Sequence, residues 1–298
     1  MRDMFTNGKI DVAAIAARLR EATIPDADTL AALAERSWRI TATRTQMSAI
    51  ELGQSRFGGR PDVPADFLWP TRDGRPLSFL AQLDLVEIAA PALPSRGWLL
   101  FFYDVEEQPW GSKPEDAAGS RVVYVDVARE ALVRRSHPTD EIDAEFQPCS
   151  LAFAEAIDLP DPYDSVVERA GVDIAYEQTE YYGAVLDELA GNETSSVDDY
   201  GVHHHLLGNP QLIQNDMRAE CEQMAMASNP TTRSLPKARV KESMKRAPDE
   251  WQLLLQLDSD DDGPEWMWGD SGRIYFWIRR TDLAARAFDK TWLILQCY

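Results

Sequence analysis

Four aspartates near the C-terminus have a spacing that could bind a hard cation. Asp258, Asp260 and Asp262 occupy alternate positions and are followed by Gly263, as in the first half of a calcium-binding loop. Asp270 lies one residue beyond the place where such a loop supplies its last carboxylate. These four aspartates are therefore predicted ligands for calcium. The alternative interpretation is a solvated acidic turn between two strands.

Three consecutive histidines, His203 to His205, also suggest a metal site. Adjacent side chains point apart in a strand or a helix, so neighbours share a metal poorly. No H-E-x-x-H or C-x-x-C motif supports such a site. The sequence therefore predicts a surface turn ahead of Leu206.

Two tryptophans and two glycines are candidates for binding a ligand or a partner. Trp266 and Trp268 adjoin glycine and acidic residues, where aromatic side chains can anchor a partner; closing the end of the core is the alternative. Gly58 and Gly59 lack the pattern of a phosphate-binding loop. We predict that these two segments face a cleft between two units of the chain. No G-x-S-x-G elbow is found, so the sequence carries no hydrolase signature.

The secondary-structure pattern is mixed. Residues 1–50 read as mainly helical, with Asp11 as a helix cap and strand-like alternation from Ser37 to Thr45. Further helices are predicted at 175–189 and after Asn215 or Asp216. Buried strands are predicted at 77–86, 97–103, 121–127, 251–258, 273–278 and 292–297.

The chain contains an internal echo. Residues 79–84 read FLAQLD and residues 253–258 read LLLQLD. A second apolar strand begins with glycine about fifteen residues after each glutamine, and a Gly-Pro element precedes each pair, so a duplicated unit explains the order. The alternative is that such a strand ending is simply common. The predicted fold is α+β, with two pseudo-repeated, mostly antiparallel β-sheet units and covering helices. The predicted segments are an N-terminal helical part (1–50) and a domain (51–298) with units 51–135 and 200–298 joined by 136–199.

Charge restricts the partners. The chain has 298 residues, with 30 Lys and Arg against 50 Asp and Glu, a formal net charge of −20. Phosphate backbones and anionic lipids repel such a surface, so nucleic acid and membranes are not expected partners, whereas a basic protein is. The three cysteines, Cys149, Cys221 and Cys297, show no paired spacing, which is typical of a reducing compartment. We therefore expect a cytoplasmic location.

Several motifs resemble the YwqG-like family, a bacterial domain of unknown function. They are FGGRP at 57–61, FLAQLD at 79–84, LLGNP at 206–210, LQLDSD at 255–260, WGDSG at 268–272 and QCY at 296–298. The resemblance runs from about Gln54 to the C-terminus. It implies an α+β fold with internal duplication, and it brings no catalytic residues. Some members are encoded beside polymorphic toxin systems, which implies immunity or protein binding.

Together these features predict a non-enzymatic binding protein of the bacterial cytoplasm, with a basic protein or toxin domain as partner. Two alternatives stay open. One is a calcium-dependent enzyme or sensor built on the Asp258–Asp262 loop. The other is a small-molecule binder that uses the cleft between the units.

Overall fold

The computed structural model describes residues 4–6, 8–139, 145–190 and 202–298. Within them the strands are β1 (Phe5–Thr6), β2 (Lys9–Ile10), β3 (Glu35–Arg44), β4 (Arg56–Phe57), β5 (Asp62–Pro64), β6 (Thr71–Arg72), β7 (Arg75–Pro76), β8 (Ser78–Asp84), β9 (Trp98–Tyr103), β10 (Ser120–Val125), β11 (Leu132–Arg134), β12 (Cys149–Asp158), β13 (His204–Leu207), β14 (Trp251–Asp258), β15 (Arg273–Arg279) and β16 (Trp292–Gln296). The α-helices are α1 (Val12–Glu21), α2 (Ala27–Ala31), α3 (Leu85–Ile88), α4 (Ser165–Arg169), α5 (Tyr176–Ala190), α6 (Arg218–Ser228), α7 (Lys237–Glu250) and α8 (Arg280–Ala284).

One ten-stranded sheet organises the chain, in the order β10-β9-β8-β4-β12-β3-β13-β14-β15-β16. Every pairing in it is antiparallel. The predicted α+β class with mostly antiparallel strands is confirmed. The two predicted sheet units are instead two halves of one continuous sheet.

The two central strands of the sheet come from segments that the sequence analysis places outside the two sheet units. Strand β3 lies within the N-terminal segment 1–50, and β12 lies within the predicted connection 136–199. They pair along their full length, from Glu35 opposite Asp158 to Arg44 opposite Cys149. Many side chains of β12 are half-buried or exposed. Its sequence is accordingly interrupted by polar residues and does not show the continuous apolar run that predicts the other strands. The prolines on either side of it favoured a connection.

The strand order reads the same from either end of the sheet. Strands β4, β8, β9 and β10 on one side correspond to β13, β14, β15 and β16 on the other. A β-bulge interrupts β8 at Leu80 and β14 at Leu254, the same position of the repeated motif. Gly58 and Leu207 also correspond, and both have a φ angle of 59°. The two halves therefore share strand order and local backbone irregularities.

The sheet curls so that the inner faces of its two halves meet. The rings of Phe101 and Phe276, from β9 and β15, lie 5.1 Å apart in an edge-to-face arrangement. A single apolar cluster includes residues from both halves, so burial of this shared core stabilises the curled sheet. Helices α6 and α7 cover the outer face of the second half around Trp251 and Trp277. In the described part of the chain, no helix has the length and apolar character needed to cross a bilayer.

Candidate functional site

An acidic cleft opens where β14 ends and β15 begins. It has a volume of about 710 Å³ and is lined by Val202, Asp258, Ser259, Asp260, Asp261, Asp262, Met267, Asp270, Ser271, Arg273 and Tyr298. The segment between the two strands folds back on itself, with Asp260 paired to Trp266 in an isolated bridge. Its ends are joined by a hydrogen bond from the backbone N–H of Ser259 to the carbonyl of Gly272, at 3.0 Å. This folding places all four predicted aspartates around one cleft.

The two aspartates nearest the sheet are already engaged by neighbouring residues. Asp258 forms an ion pair with Arg273, with 3.0 Å between Oδ2 and Nε. Asp260 accepts from His204 Nε2 at 3.2 Å and from the backbone N–H of Gly263 at 2.7 Å. Burial would raise the pKa of Asp260, but these hydrogen bonds outweigh it and hold the pKa below its ordinary value. Asp258 is therefore neutralised by Arg273, and Asp260 is stabilised as a carboxylate by its hydrogen bonds.

His204 is held in one tautomer by its two neighbours. Its Nδ1 accepts a hydrogen bond from the backbone N–H of Asp258 at 3.0 Å, so the proton lies on Nε2, which donates to Asp260. His205 points to Arg39 and to the carbonyl of Asn209. Neighbouring histidines point apart, as predicted. The expected surface turn is wrong, because His204 and His205 lie in the buried strand β13.

The outer rim of the cleft carries three exposed carboxylates. Asp261, Asp262 and Asp270 are exposed, and none forms an ion pair with another described residue. Arg44 donates to the backbone carbonyl of Asp261 at 2.7 Å, so it supports the turn without neutralising the carboxylate. Two large apolar side chains, Met267 and Tyr298, are 42% and 67% exposed beside these acids. The rim combines negative charge with apolar surface.

The four aspartates do not converge as a metal cage. Across the described ranges, no three His, Cys, Asp or Glu side chains form a group with metal-binding geometry. Asp258 is ion-paired with Arg273 and Asp260 is hydrogen-bonded to His204, while Asp262 and Asp270 lie on the exposed rim. Calcium needs six to eight oxygen ligands around one point, and this arrangement of side chains does not provide them.

The four predicted binding residues are buried or lie in tightly packed backbone. Trp266 and Trp268 are each 1% exposed and pack against one another, with ring centroids 5.3 Å apart. Gly58 and Gly59 have positive φ angles, and a side chain at Gly58 would overlap the backbone carbonyl of Gln147. A partner could reach either tryptophan only if the segment between β14 and β15 moved. Neither glycine lines the acidic cleft.

The first half has a corresponding cleft with a different charge. It is lined by Asp84, Val86, Arg96, Gly97, Trp98, Asp126, Val127, Ala128 and Arg129 and has a volume of about 350 Å³. Asp84, at the position of Asp258, pairs with Arg129 at 2.5 Å. Asp126 pairs with Arg96 at 2.9 Å. The first cleft is therefore smaller and its carboxylates have cationic partners.

Sequence reasoning found the acids of the second cleft but missed their neighbours. From the sequence alone, Arg273 is predicted only as the start of a strand and His204 only as part of a turn. The repeat itself carried a usable signal, since β15 begins with Arg273 where β9 begins with Trp98. A basic residue at that register position, directly opposite Asp258, indicates an ion pair across the two strands.

Residues 55–297 match the family described as Domain of unknown function (DUF1963), and the chain belongs to that family. No curated protein matches the chain.

Proposed function

We propose that this is a non-enzymatic binding protein whose acidic cleft holds a basic segment of a partner protein. The observation that carries the proposal is the difference between the two clefts. At corresponding places in the sheet, the first cleft pairs its carboxylates with arginines, whereas in the second the exposed carboxylates of Asp261, Asp262 and Asp270 form no ion pair with a described residue. Like charges kept together on a surface cost free energy, so a use in binding explains their retention.

The apolar rim supports a protein as the partner. Met267 and Tyr298 offer contact area that a simple ion would not need, and both are large side chains of kinds that are enriched in protein interfaces. Lysine and arginine carry long apolar stems below their charged groups. A basic segment would therefore satisfy both the acids and the apolar rim. A basic toxin domain bound in the bacterial cytoplasm is one partner of this chemistry, which makes immunity the specific form of the proposal.

The duplication belongs to the same proposal. We infer that the two halves arose from one ancestral unit and that the second half acquired the binding cleft. The matching strand order and the matching bulges at Leu80 and Leu254 support this inference.

A peptide-binding experiment tests the function. A fluorescein-labelled octapeptide of alternating Arg and Leu is titrated with the protein, and fluorescence anisotropy is measured at 50 and 150 mM salt. The wild type is compared with a triple variant, Asp261→Asn, Asp262→Asn and Asp270→Asn. Each charge pair about 4 Å apart in water contributes about 1 kcal/mol, and salt screens roughly half of this, so the variant should bind roughly tenfold more weakly.

A second triple variant controls for net charge. Asp66→Asn, Glu87→Gln and Glu130→Gln remove the same charge from exposed positions outside the second cleft. We expect binding within about threefold of the wild type, because these charges act only at long range. Equal weakening by both triple variants would show that the peptide follows overall charge and not the cleft, and the proposal would be rejected. Absence of binding by the wild type at 50 mM salt would reject it too.

A further inference from the structure

Positive charge is concentrated in one segment of this acidic chain, around the first two thirds of α7. Six of the 30 basic residues lie within residues 233–246, which contain a single acidic residue, Glu242. The helix packs on α6 and on the start of β14, so its other side faces solvent. A strongly basic surface on a protein with a formal net charge of −20 is a local feature that the overall composition does not explain.

Three lysines form a row along the exposed side of α7. Lys237, Lys241 and Lys245 are all exposed, whereas Ser243 and Ala247, on the other side of the helix, are buried. Residues four apart lie one above the other on a helix. The three side chains therefore follow one side of α7 over about 12 Å, at a rise of about 1.5 Å per residue. These three side chains are called the lysine row.

The placement of these basic residues lowers the stability of the helix. The first turn of α7 contains Lys237 and Arg239 and no acidic residue. Positive charge at this end opposes the helix dipole, which favours acidic side chains there. Lys237 with Lys241, and Lys241 with Lys245, are like-charge pairs at a spacing that destabilises a helix. Local rules of this kind are most often broken where a residue serves a function.

The acidic residues of the same chain do not neutralise the lysine row. Lys237 and Lys241 form no ion pair with another described residue. Lys245 lies 3.6 Å from Glu242, and both side chains are more than half exposed, so this pair contributes little. Helix α7 runs directly into the first residue of β14, whereas the acidic cleft lies at the last, and no residue of α7 lines it. The row is therefore open to an acidic surface of another molecule.

The lysine row is complementary to the rim of the acidic cleft. The rim has three exposed carboxylates and two exposed apolar side chains, Met267 and Tyr298. The row has three ammonium groups on apolar stems, and Leu235, just before the helix, is 40% exposed. Salt screens charges beyond about 8 Å at physiological ionic strength, so facing groups attract while the remaining negative charges of two copies repel only weakly. Both surfaces are present in every copy of the chain.

We propose that the lysine row of one copy docks on the rim of the acidic cleft of a second copy. This inference rests on the proposed function, because it names a basic segment that occupies the cleft. The two surfaces differ, so the contact is heterologous, and copies either exchange two such contacts in a dimer or continue as a chain. A basic partner protein that fills the cleft displaces the lysine row. Self-association and partner binding are then mutually exclusive.

Sedimentation equilibrium measures the self-association. The weight-average mass of the wild type should rise above the monomer mass of 33.6 kDa between about 5 and 500 μM protein at about 50 mM salt, and rise less at about 150 mM. A rim variant and a row variant should each associate at least about fivefold more weakly. A control variant should stay within about threefold of the wild type. The rim variant is Asp261→Asn, Asp262→Asn, Asp270→Asn; the row variant is Lys237→Gln, Lys241→Gln, Lys245→Gln; the control is Lys9→Gln, Arg20→Gln, Arg286→Gln, exposed positions outside α7 and the cleft.

The rim variant separates docking from overall charge. It carries less negative charge than the wild type, so it would associate more strongly if general repulsion controlled association, and that result overturns the proposal. A mixture of the rim variant and the row variant should form a one-to-one pair, because the first keeps its lysine row and the second keeps its rim.

Three other results also overturn the proposal: a monomeric wild type at about 500 μM and 50 mM salt, a mixture that does not pair, or weakening by the row variant alone, which would place the row on a different surface. Binding of the Arg-Leu octapeptide by a monomeric wild type would leave the proposed function standing, whereas loss of both activities would reject both proposals.

Discussion

Replacing Gln82 or Gln256 by methionine measures how much the buried side-chain amide stabilises each half of the sheet. Gln82 and Gln256 lie in β8 and β14, and both are fully buried. Gln82 accepts from the backbone N–H of Asp62 at 2.8 Å and donates to the carbonyl of Gln54 at 3.2 Å. Each glutamine thereby ties its strand to the irregular segment that runs beside it.

The second half repeats these bonds. Gln256 accepts from the backbone N–H of Gln211 at 3.0 Å and donates to the carbonyl of His203 at 2.8 Å. Methionine has nearly the same length but no polar group. Gln256→Met leaves the N–H of Gln211 and the carbonyl of His203 without these partners, whereas Gln82→Met leaves only the buried N–H of Asp62 without one, because the carbonyl of Gln54 still accepts from Arg56 at 3.0 Å. Each unsatisfied group costs about 1 to 3 kcal/mol. We expect Gln82→Met to lower the free energy of unfolding by about 1 to 3 kcal/mol and Gln256→Met by about 2 to 6 kcal/mol.

Equilibrium unfolding in urea, followed by tryptophan fluorescence and circular dichroism, checks this expectation. Gln252→Met is the matched control, because Gln252 lies on the same strand as Gln256 but is only partly buried and bonds to the exposed guanidinium of Arg280. It should cost less than about 1 kcal/mol. The reasoning is refuted if either buried variant costs under about 1 kcal/mol, or if Gln82→Met costs more than Gln256→Met.

Three further predictions follow from single contacts. Calcium at millimolar concentration should shift Tm by less than about 1 °C in the wild type and in Asp262→Asn alike, since the acidic loop offers no cage; a larger shift in the wild type alone would contradict this. Burial, with a smaller contribution from Arg273, lowers the pKa of His203 to about 3, so its stabilising effect is present above pH 6.5 and lost as pH falls. Relative to His203→Gln, urea unfolding of the wild type should lose about 2 kcal/mol between pH 6.5 and 5; parallel curves would contradict this. Gly58→Ala should lower the free energy of unfolding by about 2 kcal/mol or more, because of its positive φ and the carbonyl that a side chain would meet, whereas Gly183→Ala should raise it by about 1 kcal/mol; the opposite order of stabilities would refute this comparison.

Prediction from sequence succeeded where apolar runs and turn residues act locally. The six strands predicted from continuous apolar runs all exist, and Asp11 caps α1 by accepting from the backbone N–H of Ala14. The central pair was different, because β3 and β12 are separated by more than a hundred residues and only their pairing shows that they share a sheet. The alternation from Ser37 to Thr45 predicts β3 as a strand, but pairing over that distance leaves no local signal of its partner.

The acidic cleft was predictable only in part for a similar reason. Alternating aspartates marked the loop, but their chemistry depends on residues from other strands. His204 lies 56 residues away from Asp260, its hydrogen-bond partner. A pocket between α5 and the end of β12 was not predicted, because its wall joins Arg39, Asp158 and Gly183 from three distant elements. The spacing of residues along the chain indicates which carboxylates lie near one another. The pairing of strands determines which of these carboxylates have a basic or hydrogen-bonding partner.

On the proposed duplication, the two halves differ in the cleft and agree in the sheet. The buried glutamines and the bulges occupy the same positions in both halves, and each glutamine accepts from a backbone N–H of the segment beside its strand. The segments that follow β8 and β14 differ in charge. Val86 in the first half corresponds to Asp260 in the second, and Arg96 to Ser271. Loss of a cation at one position and gain of an acid at another convert a neutralised cleft into an acidic one without changing strand pairing. Charge in the cleft can therefore change while the sheet retains its strand pairing.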